Sequence, residues 1–153
     1  MKILIATDGT RYGEAAVQML AKFNLGPSDE IKIISVVDLA LPLAIDIYGG
    51  YLPDTTDLEK NARENAWKIV EDAANKLRGI NGRDVPIAMD VLFGSPDGQI
   101  VETAEQMGAN LIVLGSHGYK QWERLLLGSV SDSVVHHAHC SVLVVRDEGP
   151  RND

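Results

Sequence analysis

Ile3-Leu4-Ile5-Ala6-Thr7-Asp8-Gly9 is the stretch on which the fold turns. Four apolar residues run without a polar interruption, and Asp-Gly then closes them with a turn. A half-exposed strand would alternate. An unbroken apolar run this short reads as a strand buried on both faces, as in a parallel sheet covered by helices. Downstream of it, Ala16, Met19, Leu20 and Phe23 recur at helical spacing until Gly26-Pro27 stops them. Residues 31–37 form a second strand. Residues 38–55 carry Pro42, Gly49, Gly50 and Pro53 and read as a long loop, of the kind that serves as a lid.

The alternation continues to the end of the chain. Thr56 with Glu59 reads as a capping box. Leu58, Ala62, Ala66, Ile69, Ala73 and Leu77 then share one helix face, which Gly79 and Gly82 end. Trp67 reads as helix packing. Ile87, Met89 and Val91 alternate with Ala88, Asp90 and Leu92 as a less buried strand. Ser95-Pro96 is an N-cap followed by proline at the first helical position, and Ile100, Val101, Ala104 and Met107 form the helix up to Gly108. Residues 111–114 are another buried run. A helix begins near Ser129 with Val130, Val134 and Ala138, and residues 141–145 are the last strand. The order β-α-β-α-β-α-β-α-β implies a doubly wound, mostly parallel α/β sheet. Residues 1–146 are expected to form one domain, and 147–153 a polar tail.

Composition agrees. The chain has 153 residues, 45% hydrophobic and 24% charged, which suits one globular domain and excludes a collagen-like or disordered chain. Lys and Arg total 14 against 22 Asp and Glu, a net charge of −8. Without a basic run, no nucleic-acid partner is expected. No stretch approaches 18 uninterrupted apolar residues, so no membrane partner is expected. Lys2 precedes too short an apolar run for a signal peptide. The single Cys140 leaves a reducing cytoplasm as the default compartment.

In such sheets, ligands lie beyond the carboxyl ends of the strands, at the point where strand order reverses. That directs attention to Thr7-Asp8-Gly9, Val37-Asp38, Phe93-Gly94 and the segment from Gly115. Gly115-Ser116-His117-Gly118 is followed by nine residues and then Gly128-Ser129-Val130-Ser131. Glycines permit positive φ and close backbone approach, consecutive amides form an anion-binding concavity, and a helix start attracts phosphate. The hydroxyls of Ser129 and Ser131 would add donors. The alternative is structural: Gly115 ends a strand, Gly118 makes a turn, and Ser129 caps a helix.

Gly115-x2-Gly118-x9-Gly128-Ser129 resembles the ATP-binding signature of the universal stress protein family. The resemblance extends from the opening residues 3–9 to Ala138-His139-Cys140-Ser141-Val142-Leu143-Val144-Val145-Arg146. It implies five parallel strands in the order 3-2-1-4-5 and a Rossmann-like fold with helices on both faces. It also implies a cofactor: ATP, with AMP or ADP as alternatives, and Mg2+ carried by the nucleotide. By the same resemblance, Ala6, Thr7 and Asp8 touch the nucleotide, and the backbone at Val36 or Val37 reads the adenine edge. Leu114 and Gly115 line base and ribose, while His117, Gly118, Gly128, Ser129, Val130 and Ser131 surround the phosphates. Ala6 and Ser141 stand where many members have proline. Tyr119, Lys120, Trp122 and Arg124 lie in the nine-residue excursion, whose composition varies in the family.

Asp8 reads as a ribose or Mg2+ contact, against a plain turn former. Asp38 is also at a strand end, where an unspecified functional role and a structural one are weighed evenly. His136, His137, His139 and Cys140 suggest a metal cluster, but histidines at a helix C-terminus also bond the last carbonyls, and no second ligand pair accompanies them. Cys140 reads as a small packed residue.

The implied function is an ATP-binding stress-response regulator acting as a nucleotide-dependent switch, with slow or no hydrolysis. No P-loop lysine is placed on the phosphates, so a genuine ATPase is the weaker alternative. A nucleotide-independent interaction module is another. A phospho-acceptor receiver would need an acidic pair after the first strand and an Asp after the third, where Phe93-Gly94 stands. The last strand, Ser141-Val142-Leu143-Val144-Val145, has no edge-protecting Pro or Lys, so a homodimer through it is expected.

Overall fold

The computed structural model describes residues 1–38, 55–81, 84–117 and 127–147. Strand β1 is Lys2–Ala6, followed by helix α1 at Arg11–Ala21 and β2 at Glu30–Val37. Helix α2 is Thr55–Asn81, and β3 is Ile87–Phe93. Helix α3 spans Pro96–Met107, β4 Leu111–Gly115, α4 Ser129–His137 and β5 Ser141–Val145. The five strands form one sheet in the order β3-β2-β1-β4-β5, and every pairing is parallel. The unbroken apolar run is therefore central: Ile3 lies between Ile31 and Leu111.

Successive side chains on a strand point to opposite faces, so β1 serves two cores. Ile3 and Ile5 pack with Ile31, Ile33 and Val113 under Ala16, Val17 and Leu20 of α1 and Val70, Ala74 and Leu77 of α2. Leu4 packs on the other side with Ile34, Ile112 and Leu114 under Ile100 and Ala104 of α3 and Val134 of α4.

Three element ends differ from the sequence expectation. α2 begins at Thr55, so Thr56 is already helical and the Thr56–Glu59 capping box falls inside the helix. Its core contact starts late: Leu58 is 47% exposed, whereas Ala66, Val70, Ala73 and Leu77 are buried. Trp67 is itself 37% exposed, on the outer side of the helix. Gly79 lies within α2, which continues to Asn81. One glycine costs about 1 kcal/mol in a helix, and the packed stripe ending at Leu77 holds the helix past it. α1 stops at Ala21 with Lys22 as C-cap, ahead of Phe23 and Gly26-Pro27. The proposed lid, Gly118, the excursion residues Tyr119, Lys120, Trp122 and Arg124, and most of the tail lie outside the described residues.

Candidate nucleotide cleft

A cleft of about 570 Å³ opens beyond the carboxyl ends of β1, β2 and β4, between the first turns of α3 and α4. Its position follows from topology, because the strand order reverses between β1 and β4. Ala6, Thr7, Asp8, Val36, Leu114, Gly115, His117, Gly128, Ser129, Val130 and Ser131 all line it. Val37 does not, and its carbonyl accepts a hydrogen bond from the Gly94 N–H at 3.1 Å. Of the pair that the resemblance puts beside adenine, the structure thus brings Val36 to the cleft.

The β4 end is fastened to α4 through one carbonyl. Ser116 O accepts from the Gly128 N–H at 2.7 Å and from the Ser131 hydroxyl at 2.9 Å. The Ser116 N–H in turn donates to Val145 O at 2.8 Å. These bonds correct two expectations. The Gly128 N–H and the Ser131 hydroxyl hold the loop together, and the hydroxyl is buried within it, so neither is a donor left for phosphate. Among the described residues, the donors that remain are the N–H groups of the first turn of α4, which lack partners within a helix and which the N-cap residue, Gly128, has no side chain to cap. The exposed Ser129 hydroxyl stands beside them.

The glycines here are required by space, not by φ. Gly128 has φ −72° and ψ 161°, open to any residue, but a Cβ there would lie 3.2 Å from both His117 Cα and Ser116 O. At Gly115, a Cβ would fall 2.6 Å from the Tyr12 carbonyl carbon and oxygen. A side chain at Gly115 would therefore push β4 off the start of α1.

Asp8 does what a turn former does and still faces the cleft. Its Oδ1 accepts from the Thr10 N–H at 3.0 Å and the Thr10 hydroxyl at 2.6 Å, while Thr10 caps α1 by accepting from Gly13 N. His117 is held from two sides. Its Nδ1 lies 3.0 Å from Ser116 Oγ, and its ring sits 5.1 Å from that of Tyr12 at 46°. The Arg11 guanidinium lies 4.9 Å from the centre of the Tyr12 ring and donates to the Tyr12 hydroxyl at 2.8 Å.

Sequence reasoning missed the α3 wall, where Ser95, Pro96, Asp97 and Ile100 line the cleft, and Gly13 of α1; Asp38, singled out at the end of β2, lines it too. The rule of strand ends pointed to Phe93-Gly94, but the lining begins at Ser95, which had been read as a helix cap. Ser95 is the N-cap residue by position, yet its side chain makes no bond to the helix backbone. Its hydroxyl donates instead to Asp97 Oδ1, and Ser133 of α4 donates to Asp97 Oδ2 at 2.7 Å. The Ser95 and then the Ser133 hydroxyl bonds hold the Asp97 carboxyl below the ordinary carboxylate range.

The histidine cluster is a helix terminus. Nδ1 of His136 donates to Asp132 O and Nδ1 of His137 to Ser133 O, each at 2.8 Å. His139 Nε2 lies 3.0 Å from Glu105 Oε1. Among the described residues, no group of three or more His, Cys, Asp or Glu side chains is placed to hold a metal. Cys140 packs against the α3/α4 core, and burial pushes its thiol pKa up. Among the described residues, no helix is long and apolar enough to cross a membrane.

Comparison with known proteins agrees with the fold. The model of the universal stress protein family matches residues 1–146. The universal stress protein MJ0531 of Methanocaldococcus jannaschii is 34% identical over 145 residues, covering 95% of this chain and 81% of that protein. MJ0577 of the same organism is 30% identical over 152 residues, covering 95% and 94%. A solved structure of MJ0577 matches with a TM-score of 0.65 at 27% identity over 96% of each chain. A universal stress protein family member from Arabidopsis thaliana, solved with AMP bound, shares the fold at 13% identity with a TM-score of 0.64, covering 100% of this chain and 96% of that one. By its sequence and its fold, this chain belongs to the universal stress protein family.

Proposed function

We propose that the cleft binds an adenine nucleotide, ATP with AMP or ADP as alternatives, and that the protein is a nucleotide-dependent switch with slow or no hydrolysis. The observation that carries this reading is the uncapped start of α4, opening into a cleft whose floor is the apolar end of the sheet. A phosphate group suits the α4 N–H groups and the helix dipole, and a flat base suits the wall of Ala6, Val36, Leu114 and Ile100. The AMP-bound relative from Arabidopsis thaliana supports the same ligand class. Asp8 and Asp38 supply hard oxygen atoms in the cleft, the donor type that suits Mg2+; the ion would neutralise phosphate charge.

Slow turnover fits the residues present. Hydrolysis needs groups that activate water and stabilise the terminal phosphate, and the sequence carries no P-loop motif to place a lysine there. Calorimetry with protein purified free of nucleotide tests the reading. Binding of ATP with Mg2+ at micromolar to millimolar concentration is expected. No binding at millimolar nucleotide would favour an interaction module. Turnover near about 10 per second, the enzyme median, would favour an ATPase. Gly128→Val is expected to abolish binding, because the branched side chain meets His117 and Ser116 at the mouth of α4.

Assembly as a homodimer through Ser141–Val145 belongs to the same proposal. The β5 edge is all apolar after Ser141, whereas the opposite edge, β3, carries Asp90 paired with Lys32 at 3.4 Å. Charge at a strand edge discourages pairing with another chain. A monomeric mass in solution at micromolar concentration would remove this part of the reading.

A further inference from the structure

Two helix starts wall the cleft, and they differ in what they leave open. α4 begins at Gly128, without a capping side chain. α3 begins at Ser95-Pro96-Asp97, and there both oxygens of the Asp97 carboxylate are held by hydroxyls. Oδ1 accepts from Ser95 and Oδ2 from Ser133. Pro96 has no N–H to offer. Toward a ligand it retains its charge.

We propose that Asp97 sets the direction in which a phosphate-bearing ligand lies in the cleft. Its fixed negative charge closes the α3 start to anions and leaves the α4 start to receive them. The inference rests on the nucleotide reading above and extends it to ligand polarity: an anionic group at one end, an uncharged base at the other. The lining residues of the wall built from 115–117 and 128–131 include no carboxylate.

The distance makes the effect measurable. Ser133, which holds Asp97 at 2.7 Å, lies one turn after Ser129. One turn is about 5–6 Å along the axis, inside the screening length of about 8 Å at physiological salt. Repulsion from Asp97 therefore grows with the charge of the ligand's phosphate group. Two charges about 6–8 Å apart in a wet cleft interact by a factor of about three to ten in affinity.

Calorimetry on the full chain with adenosine, AMP and ADP, at low and high salt, tests this. Asp97→Asn keeps the size and still accepts from a serine hydroxyl, but lacks the charge. We expect the variant to bind ADP about three- to ten-fold more tightly than wild type at low salt. AMP should gain less, adenosine should change by under about two-fold, and high salt should compress the gain. Ser133→Ala leaves the charge in place and should show no gain graded by ligand charge. An equal change for all three ligands in Asp97→Asn, or a graded gain in Ser133→Ala, would overturn the inference alone. Failure of the wild type to bind any of the three would overturn the nucleotide reading, and this inference with it.

Discussion

On the α1/α2 side of the sheet, Ile3, Ile5, Ile31, Ile33 and Val113 are covered along their length by an 11-residue and a 27-residue helix. On the α3/α4 side, Leu4, Ile34, Ile112 and Leu114 are covered by helices of 12 and 9 residues, and the cleft opens between their first turns. The same strands supply both faces with equally apolar residues. What separates a sealed core from a binding site is helix length and start position, and polar atoms gather only where the cover is incomplete. The sealed side spends its residues on stability, the open side on recognition.

The comparison breaks most clearly if the sealed side is hollowed. Leu20 is fully buried under the sheet, and Leu20→Ala is expected to cost about 2–5 kcal/mol in denaturant unfolding. Nucleotide affinity of the folded fraction should stay within two-fold. A large affinity loss would show that the two faces are not independent. Gly115 is where they meet, because it lines the cleft yet touches the Tyr12 backbone of α1. Gly115→Ala should cost about 1–3 kcal/mol in stability through overpacking and weaken nucleotide binding as well. Stability loss without affinity loss would assign Gly115 to the sealed side alone.

Finer changes sharpen the picture on the open side. Ser129→Ala should weaken nucleotide binding by about 1–2 kcal/mol, the scale of a hydrogen bond to a charged group, with no change in the urea midpoint. The smallest effect concerns pH. The Asp97 carboxyl is held below its ordinary range by the Ser95 and Ser133 hydroxyls, so the unfolded chain takes up its proton at higher pH than the folded one. Its contribution is complete above about pH 4, the unfolded value, and declines as acid titrates the folded group. The stability difference between wild type and Asp97→Asn should therefore shrink on acidification through this window. A difference that grows with acid would reverse the assigned sign.

Much of this was legible in the chain. Strand positions follow from short apolar runs such as 3–6 and 111–114, because a strand buried on both faces leaves no room for polar residues, and the family resemblance implied their order. The strand-order reversal then located the cleft, and the family resemblance named most of its lining. Three things were not legible. The Gly128 N–H and the Ser131 hydroxyl looked like phosphate donors because spacing shows which groups are near a site, not which are already bonded, and Ser116 O takes both. Gly115 and Gly128 looked like conformational glycines, while the constraint is a neighbouring backbone. Asp97 escaped notice because its partner Ser133 is 36 residues away, on another helix, beyond any local pattern.

The pairing of β1 with β4, which sets Ile3 against Leu111, also governs when the protein becomes whole during synthesis. β1, α1 and β2 can assemble early, since Ile3 and Ile31 lie close in sequence. The other edge of β1 has no strand beside it until β4 begins at Leu111, more than 70 residues after β2 ends at Val37. During that interval, Leu4 and Ile34 are bare and an apolar strand edge is open, the condition under which nascent chains associate or recruit chaperones. The cleft, which needs residues from Ala6 to Ser131, is among the last features to form. Ligand can thus rescue a finished chain but not a growing one, and ribosome-stalled chains ending before residue 111 should remain protease-sensitive whatever nucleotide is added.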